Sequence, residues 1–198
     1  MKKIVSILLS AMLAVTMFGC GRDNVNVDDG KNTENASDSD KQEDTMTILS
    51  EEQSDANYGE FEKVSMGDTY DDAVETLGEA NKVIKEDDRY TYIWDCGDDK
   101  TISIVIQNGV IVSKAEGLLD SESPEVTEEQ YNKLKEGMSI DEAFDVLGVG
   151  VLTSEEKTDD YVKKIYAYNN SDGSSLILTF RDDKLYSMSE NRITAGEQ

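Results

Sequence analysis

The sequence predicts an α+β fold made of two tandem repeats, each built of helix, helix and antiparallel sheet, after a signal peptide and a disordered linker. Three observations predict it: an apolar run near the N-terminus, a long polar segment after it, and one motif that occurs twice. The expected segments are a signal peptide, a disordered acidic tether and two repeats, with the bounds 1–19, 20–57, 58–119 and 120–198.

The N-terminus has the order of a targeting segment. Two lysines precede the apolar run 4–18, which is shorter than the roughly 20 residues that a spanning helix needs. Cys20 follows this run, an order that resembles a bacterial lipoprotein signal, and the resemblance implies cleavage before Cys20 and lipid on its sulfur. Two or more acyl chains anchor a protein stably. The alternative is an ordinary secretory signal with an incidental cysteine.

The segment 20–57 is rich in Asn, Asp, Ser and Glu and poor in large apolar residues. Such a composition buries too little apolar surface to offset the entropy of ordering the chain. A flexible coil of this length spans roughly 35 Å between its ends. The segment is therefore predicted to be a tether that holds the folded part away from a membrane.

The repeated motif reads as a capped helix that ends at glycine. Thr69 and Ser139 are typical N-caps, and Ser139 with Glu142 forms a capping box. Apolar residues recur at i, i+3, i+4 and i+7, which predicts one apolar face that needs a sheet to cover it. The matched positions are Gly67/Gly137, Thr69/Ser139, Tyr70/Ile140, Asp71/Asp141, Ala73/Ala143, Val74/Phe144, Leu77/Leu147 and Gly78/Gly148.

Alternating apolar residues after each motif predict antiparallel strands. The stretch between each motif helix and its first strand is interpreted as a loop. A further helical turn is expected before each motif, and Thr127 with Gln130 gives the second of these turns a capping box. The dipeptide at 108–109, Asn-Gly, predicts a tight hairpin. The predicted strands are 90–95, 101–107, 110–113, 162–169, 175–181 and 184–188.

The motif and its strands resemble the repeat of the beta-lactamase inhibitory protein (BLIP) fold, which also occurs singly in outer-membrane lipoproteins of the SmpA/OmlA (BamE) type. The resemblance covers the region from about 61 to 193. It departs from the family at one place, because the proline that usually follows the Leu-Gly pair is absent here. Lipid-anchored tandem versions occur in Gram-positive bacteria. The resemblance implies protein binding through the sheet surface and no catalysis.

Composition excludes several kinds of chemistry. The chain has no histidine, which excludes Ser-His-Asp and Cys-His catalysis and histidine metal sites. The repeated acids Asp71 and Asp141 lie in the first turn of helices, where the helix dipole favours negative charge. A formal net charge of -24 argues against nucleic acid as a partner. Cys96 is interpreted as a small half-buried apolar residue, and no cofactor or metal is predicted.

Four aromatic residues of the predicted strands are the candidate site. Tyr92 and Trp94 correspond in position to Tyr166 and Tyr168. Aromatic side chains on a sheet face make good anchors for a protein partner. They also make good core residues when the helices pack against them, with their polar tips at the edge, and the core interpretation is favoured. Both interpretations stay open at this level.

The sequence thus predicts a lipid-anchored, extracytoplasmic, non-catalytic module that binds an envelope or secreted protein, as an inhibitor or an assembly factor. The expected location is the extracytoplasmic face of a bacterial cell membrane. The resemblance implies that the bacterium is Gram-positive. The alternative is an envelope lipoprotein that binds a small ligand or a divalent cation. An enzyme that depends on one carboxylate ranks third, because acidic residues are abundant.

Overall fold

A single antiparallel sheet of nine strands dominates the part of the chain that this computed structural model describes, residues 45–193. The strands follow one another across the sheet in sequence order. The helices are α1 (Tyr58–Lys63), α2 (Tyr70–Leu77), α3 (Glu128–Tyr131) and α4 (Ile140–Leu147). The strands are β1 (Thr45–Ile48), β2 (Lys82–Glu86), β3 (Arg89–Asp95), β4 (Thr101–Gln107), β5 (Val110–Gly117), β6 (Val151–Lys157), β7 (Val162–Asn169), β8 (Ser175–Arg181) and β9 (Lys184–Asn191).

The predicted fold class, two helix-helix-antiparallel sheet repeats, is wrong. The structure is a mainly β fold in which one continuous sheet carries a few short helices, none longer than eight residues. The reason is the pairing of β5 with β6, where Ser113, Lys114 and Ala115 meet Glu156, Glu155 and Ser154. This pairing joins strands that lie far apart in sequence, and local alternation carries no signal for such a long-range contact.

Three strands were missed by the sequence analysis. β2 and β6 lie where loops were expected, and β1 lies inside the segment that was assigned to the tether. β1 pairs with β2, so the folded part begins earlier than predicted. These strands carry many Lys, Glu, Ser and Thr residues, which weakens the apolar alternation by which strands are recognised.

The capped helices of the motif are confirmed. The Thr69 and Ser139 side chains accept hydrogen bonds from the amides of Asp72 and Glu142, and both caps are complete capping boxes. Gly78 and Gly148 end the helices with φ of 76° and 82°, values that a side chain would strain. The Thr127–Gln130 capping box at α3 is confirmed as well.

All four helices lie on one face of the sheet and bury two apolar clusters against it. We call this the covered face, and the opposite one the open face. The first cluster joins α1 and α2 to β3, β4 and β5, and its fully buried members are Phe61, Ala80, Trp94, Ile102 and Ile104. The second joins α3 and α4 to β7, β8 and β9, and its fully buried members are Ala143, Tyr168, Leu176, Leu178 and Phe180.

A buried lysine fixes the end of α1. Lys114 of β5 is buried on the covered face, and its Nζ donates to the carbonyl oxygens of Val64 at 2.6 Å, Phe61 at 3.2 Å and Glu62 at 3.4 Å. The Phe61 carbonyl also accepts from the Val64 amide, but the helix offers no donor to the carbonyls of Glu62 and Val64 at its C-terminus. The ammonium also lies 4.8 Å from the centre of the Phe61 ring. One side chain therefore satisfies a helix end that would otherwise be left unpaired.

Residues 1–44 and 194–198 lie outside the described part, and with them the predicted signal peptide, Cys20 and most of the predicted tether. The two repeat boundaries, 58–119 and 120–198, stay predictions. Within residues 45–193, no helix is long and apolar enough to cross a membrane.

Candidate protein-binding surface

Two of the four candidate aromatic residues are core residues. Trp94 and Tyr168 are fully buried under the helices. The Nε1 of Trp94 donates to the carbonyl oxygen of Gly78 at 2.9 Å, and the Tyr168 hydroxyl donates to that of Gly148 at the same distance. Both rings therefore pair with the glycine that ends the helix above them, which agrees with the core interpretation.

The other two candidates, Tyr92 and Tyr166, are half-buried on the covered face. Tyr92 stacks on Tyr70 of α2 with ring centres 4.0 Å apart. Tyr166 meets Phe144 and Phe180 edge to face at 5.0 Å and 5.8 Å. The structure therefore places Tyr92 and Tyr166 in separate clusters, so the four candidates do not form one surface.

The open face is the large surface that no described helix covers. Strand register assigns to it the residues that alternate with the core positions. They are mainly small, β-branched or hydroxyl-bearing, so the surface is shallow. Ile177 in the middle of β8 is 43 % exposed. Other members are Thr91, Ile93, Ser103, Val105, Ser113, Ala115, Ser154, Ile165, Ala167, Thr179 and Ser187.

One end of the open face carries a tyrosine–arginine cluster, formed by Tyr161, Arg181 and Tyr186. The guanidinium of Arg181, at the end of β8, lies 3.6 Å from the ring centre of Tyr186 and 4.7 Å from that of Tyr161. A β-bulge between Thr179 and Phe180 shifts the register of β9, and Tyr186 stands at that shift, 51 % exposed. The two rings therefore hold the guanidinium in place by stacking and cation–π contact.

Arg181 forms no ion pair within the described residues, and its buried Nε has no hydrogen-bond partner there. Its neighbours across the strands are also basic, since it pairs in register with Lys163 and Lys184. Lys163 is bonded to Glu156 of β6. Acidic residues lie here as well, since Asp182 and Asp183 form the turn after β8 and Asp183 forms an ion pair with Lys164. A fixed guanidinium of this kind is suited to binding a carboxylate.

Comparison with known proteins gives the family. The family model described as beta-lactamase inhibitor (BLIP) matches residues 57–169, which is more than half of the chain. The chain belongs to the BLIP family. The match begins at the N-cap of α1 and ends with β7. It therefore includes the seam between β5 and β6 as well as both motif helices.

A solved structure shares the BLIP-like fold. It is the 1.40 Å crystal structure of a Streptococcus mutans protein that is assigned as a beta-lactamase inhibitor protein. The similarity has a TM-score of 0.59 at 16 % sequence identity, and it covers 67 % of this chain and 93 % of the other. At this identity the likeness concerns the fold alone. No curated protein matches the chain.

The described part of this BLIP-family chain contains no group of three or more His, Cys, Asp or Glu residues that could hold a metal ion. Cys96 is half-buried beside the first apolar cluster. Burial, together with the nearby Asp95 carboxylate, raises the pKa of its thiol. The thiol therefore stays protonated at neutral pH, which favours the interpretation as a small apolar residue.

The sequence analysis missed the tyrosine–arginine cluster. Alternation in β8 places Arg181 on the other face of the strand from the core residue Phe180, so its position on the open face follows from the pattern. The position of Tyr186 depends on the bulge in β9, and the sequence has no glycine there to mark it. Tyr161 lies in the turn before β7 and belongs to no strand. Only the folded structure brings the three side chains together.

Proposed function

We propose that this chain is a non-catalytic, inhibitor-like module that binds a folded protein on the open face of its sheet. We further propose that lipid on Cys20 anchors it to the extracytoplasmic face of a bacterial cell membrane. Membership of the BLIP family supports the binding role. The observation that carries the proposal is the unpaired, tyrosine-held guanidinium of Arg181 on a sheet face that no described helix covers.

The size of the open face is adequate for a stable complex. Nine strands about 4.8 Å apart form a surface roughly 40 Å wide. A typical specific interface buries about 800 Å² on each partner. Around Ile177 the cross-strand neighbours Ala167 and Ser189 are small, so a partner's loop or helix can contact Ile177 directly.

The tyrosine–arginine cluster supplies the anchor of this interface. Tyr and Arg are enriched among the few residues that dominate binding energy. Arg181 has no acidic partner of its own in the described part, so a carboxylate of the partner would replace water without breaking an internal ion pair. The partner is accordingly a folded envelope or secreted protein that presents an aspartate or glutamate to Arg181.

The family name indicates which partner to test first. Because the matched family is described as beta-lactamase inhibitor, a secreted beta-lactamase is the first candidate. Fold alone does not specify a target, since one fold supports many different binding partners.

A site-specific crosslinking experiment tests the binding face. A photoreactive residue replaces Ile177 in one full-length protein and Val149 in a matched control, since Val149 is 65 % exposed but lies outside the strands. We expect position 177 to crosslink one envelope or secreted protein in intact cells and position 149 to leave it uncaptured. Purified partner should then bind the isolated protein. The same products at both positions, or none at 177, would refute the open face as the binding surface.

Substitution of the anchor sharpens this test. Arg181→Gln should weaken binding of the purified partner by at least about tenfold, because it removes a charge-assisted contact of about 1.5–3 kcal/mol. Arg192→Gln removes an exposed guanidinium that donates to the Gly173 carbonyl and should leave the affinity unchanged. Equal loss in both variants would mean that overall charge, rather than Arg181, sets the affinity.

Anchoring has its own test. Cys20→Ser removes the sulfur that would carry lipid, so the protein should move from the membrane fraction to the medium. Retention in the membrane fraction would contradict lipid attachment while leaving the binding proposal intact.

A further inference from the structure

An open cleft lined by three tyrosines lies on the covered face of the first half of the sheet. Tyr70, Tyr90 and Tyr92 line it together with Ile106 and Asp88, and its volume is about 460 Å³. It lies on the opposite face from the tyrosine–arginine cluster, and neither the family match nor the proposed function assigns it a role.

The rings of the cleft are held by the fold. Tyr90 and Tyr92 lie two residues apart on the same face of β3 and pair in register with Ile106 and Ile104 of β4. Tyr70 of α2 stacks on Tyr92, and its hydroxyl donates to the Glu79 carboxylate at 3.2 Å. The rings therefore stand in place before any ligand arrives, which lowers the entropy that binding would cost.

The charge around the cleft is negative. Gln107 Nε2 donates to Asp88 Oδ2 at 2.9 Å and so fixes this carboxylate at the rim. Burial of Tyr92, together with the nearby Tyr90 and the charge of Asp71, raises the pKa of its phenol. Tyr92 is therefore neutral at physiological pH, and each ring of the cleft presents the negative face of its π-system. Neutral aromatic faces beside a carboxylate form an environment that favours a cation.

The protein already places one of its own cations on this surface. Lys85 of β2 is the register partner of Tyr90, and its Nζ lies 5.6 Å from the centre of the Tyr90 ring. The side chain is exposed, so it is free to move away from the ring. Lys85 therefore shows which charge the cleft attracts, and it is also a competitor for a ligand.

The second half of the sheet fills the equivalent position. Tyr90 pairs with Ile106 just before the β4–β5 hairpin, and Lys164 pairs with Phe180 just before the β8–β9 hairpin. The Lys164 ammonium lies 2.9 Å from a carboxylate oxygen of Asp183. At this position the second half carries its own ammonium beside a carboxylate. The first half has a tyrosine and a carboxylate there, with an open space beside them.

We propose that this tyrosine cleft binds an organic ammonium cation. The tyrosine faces contact the alkyl groups around the nitrogen, and Asp88 supplies the opposite charge. The ammonium group could belong to a quaternary amine such as choline or to a lysine side chain, and these two sources share the same recognition chemistry. The cleft does not depend on the open face, so this site stands apart from the proposed protein interface.

The test is a set of titrations of the full-length protein, followed by NMR chemical shifts and tyrosine fluorescence at constant ionic strength. The probes are choline, its neutral isostere 3,3-dimethylbutan-1-ol, and a lysine blocked at both ends. We expect saturable binding of choline or blocked lysine, with the neutral isostere at least about tenfold weaker because it lacks the charge. Comparison of the two ammonium probes identifies the preferred source. Equal binding of the neutral isostere, or no saturable binding of either ammonium, would refute the proposal.

Matched variants locate the site. Asp88→Asn should weaken ammonium binding several-fold, whereas Asp98→Asn removes an equal charge from a turn at the other end of β3 and should leave it unchanged. Lys85→Gln should strengthen binding, because it removes the internal competitor. Tyr90→Leu keeps an apolar side chain and should abolish the preference for the cation over its isostere. Thermal melting of each variant checks that it is folded. Equal effects of Asp88→Asn and Asp98→Asn on ammonium binding would show that the binding depends only on long-range charge.

Discussion

The two halves of the sheet make the same hydrogen bond with different rings. In the β2–β5 half, Trp94 reaches the carbonyl of Gly78, and in the β6–β9 half, Tyr168 reaches that of Gly148, both at 2.9 Å. In each half the ring belongs to the second strand after the motif helix, and the glycine that accepts the hydrogen bond ends that helix. The comparison shows that the carbonyl at the helix end fixes where the donor group of the ring must lie. Either an indole N–H or a phenol O–H can serve as that donor.

The different rings require different space around them. Residue 80 is a fully buried alanine, whereas the equivalent position after the second helix is Gly150. A Cβ added at Gly150 would lie 2.6 Å from Cζ of Tyr168. The phenol approaches the backbone more closely than the indole does, so glycine is required in only one half.

The halves also differ in how they hold the helix that precedes the motif. Lys114 of β5 pairs with Ile104, and Met188 of β9 stands at the equivalent place opposite Leu178. The lysine donates to three carbonyls at the end of α1, whereas the methionine lies against the second apolar cluster under the shorter α3. A buried charge is used only where a helix end needs donors.

Trp94→Ala should have the largest effect on stability. Removal of a fully buried indole costs about 3–5 kcal/mol of unfolding free energy, and the Gly78 carbonyl also loses its donor. Urea unfolding followed by circular dichroism measures the change. Trp94→Phe keeps a large aromatic ring without the donor, so it should lose clearly less. Equal losses in the two variants would show that the lost hydrogen bond, and not the lost buried ring, sets the cost.

Lys114→Met should destabilise the fold by about 1–3 kcal/mol, because it leaves the Glu62 and Val64 carbonyls at the end of α1 without a donor and removes one of the two donors to Phe61. Methionine is the residue that stands at the equivalent place in the second half, so a side chain of this volume is compatible with the fold. Hydrogen exchange of the α1 amides should accelerate more than that of α3. Uniform acceleration across both helices would contradict a specific role at α1.

Gly150→Ala should cost about 1–3 kcal/mol, as expected for an added methyl group in a tightly packed region. In the same protein, Tyr168→Phe should relieve part of this strain, because the hydroxyl oxygen itself lies 2.9 Å from the added Cβ. The two single variants and the double variant form a thermodynamic cycle measured by urea unfolding. Strict additivity would mean that Gly150 and Tyr168 do not constrain each other.

Tyr168→Phe alone should have the smallest effect, about 1 kcal/mol at neutral pH for one buried hydrogen bond. Burial raises the pKa of the Tyr168 phenol, with a further contribution from the neighbouring Tyr166. A raised folded-state pKa stabilises the protein below the unfolded value of about 10, and this contribution is lost as the pH rises above it. The stability gap between wild type and variant should therefore narrow from pH 7.5 to pH 10.5, and a widening gap would contradict the assignment.

The outer aromatics explain why only one half carries a cleft. Phe144, Tyr166 and Phe180 meet edge to face and fill the second half. In the first half, valine stands at the position of Phe144, and Tyr70 and Tyr92 stack in parallel. The smaller residue and the parallel stack leave the space between β3 and the β4–β5 hairpin open. A difference in side-chain volume therefore decides between a filled cluster and a cleft.

Local features of the fold could be predicted from the sequence, and contacts between distant strands could not. The caps at Thr69 and Ser139, the closing glycines and six strands follow from residues a few positions apart, and the structure confirms them. The seam between β5 and β6 joins residues about 40 positions apart and has no local signal. Polar β2 and β6 were missed for the same reason, since their place in the sheet is set by their neighbours.

The candidate site was predictable only in part. Alternation placed Trp94 and Tyr168 on one face of their strands but could not tell whether the helices cover that face, which the structure shows they do. Arg181 lies on the opposite face by the same alternation, yet its contact with Tyr186 arises from a bulge that no glycine or proline marks. A cluster that depends on strand register is therefore visible only after folding.

The short seam between β5 and β6 has a mechanical consequence. Only Ser113, Lys114 and Ala115 of β5 pair with β6, whereas the pairing of β7 with β8 runs through the length of both strands. Across this junction, the Leu152 amide donates to the Tyr58 hydroxyl at 2.7 Å. The sheet is therefore least stiff against bending along this line. We expect any bending that accompanies binding to concentrate at this seam, while the long ladders on either side keep their hydrogen bonds.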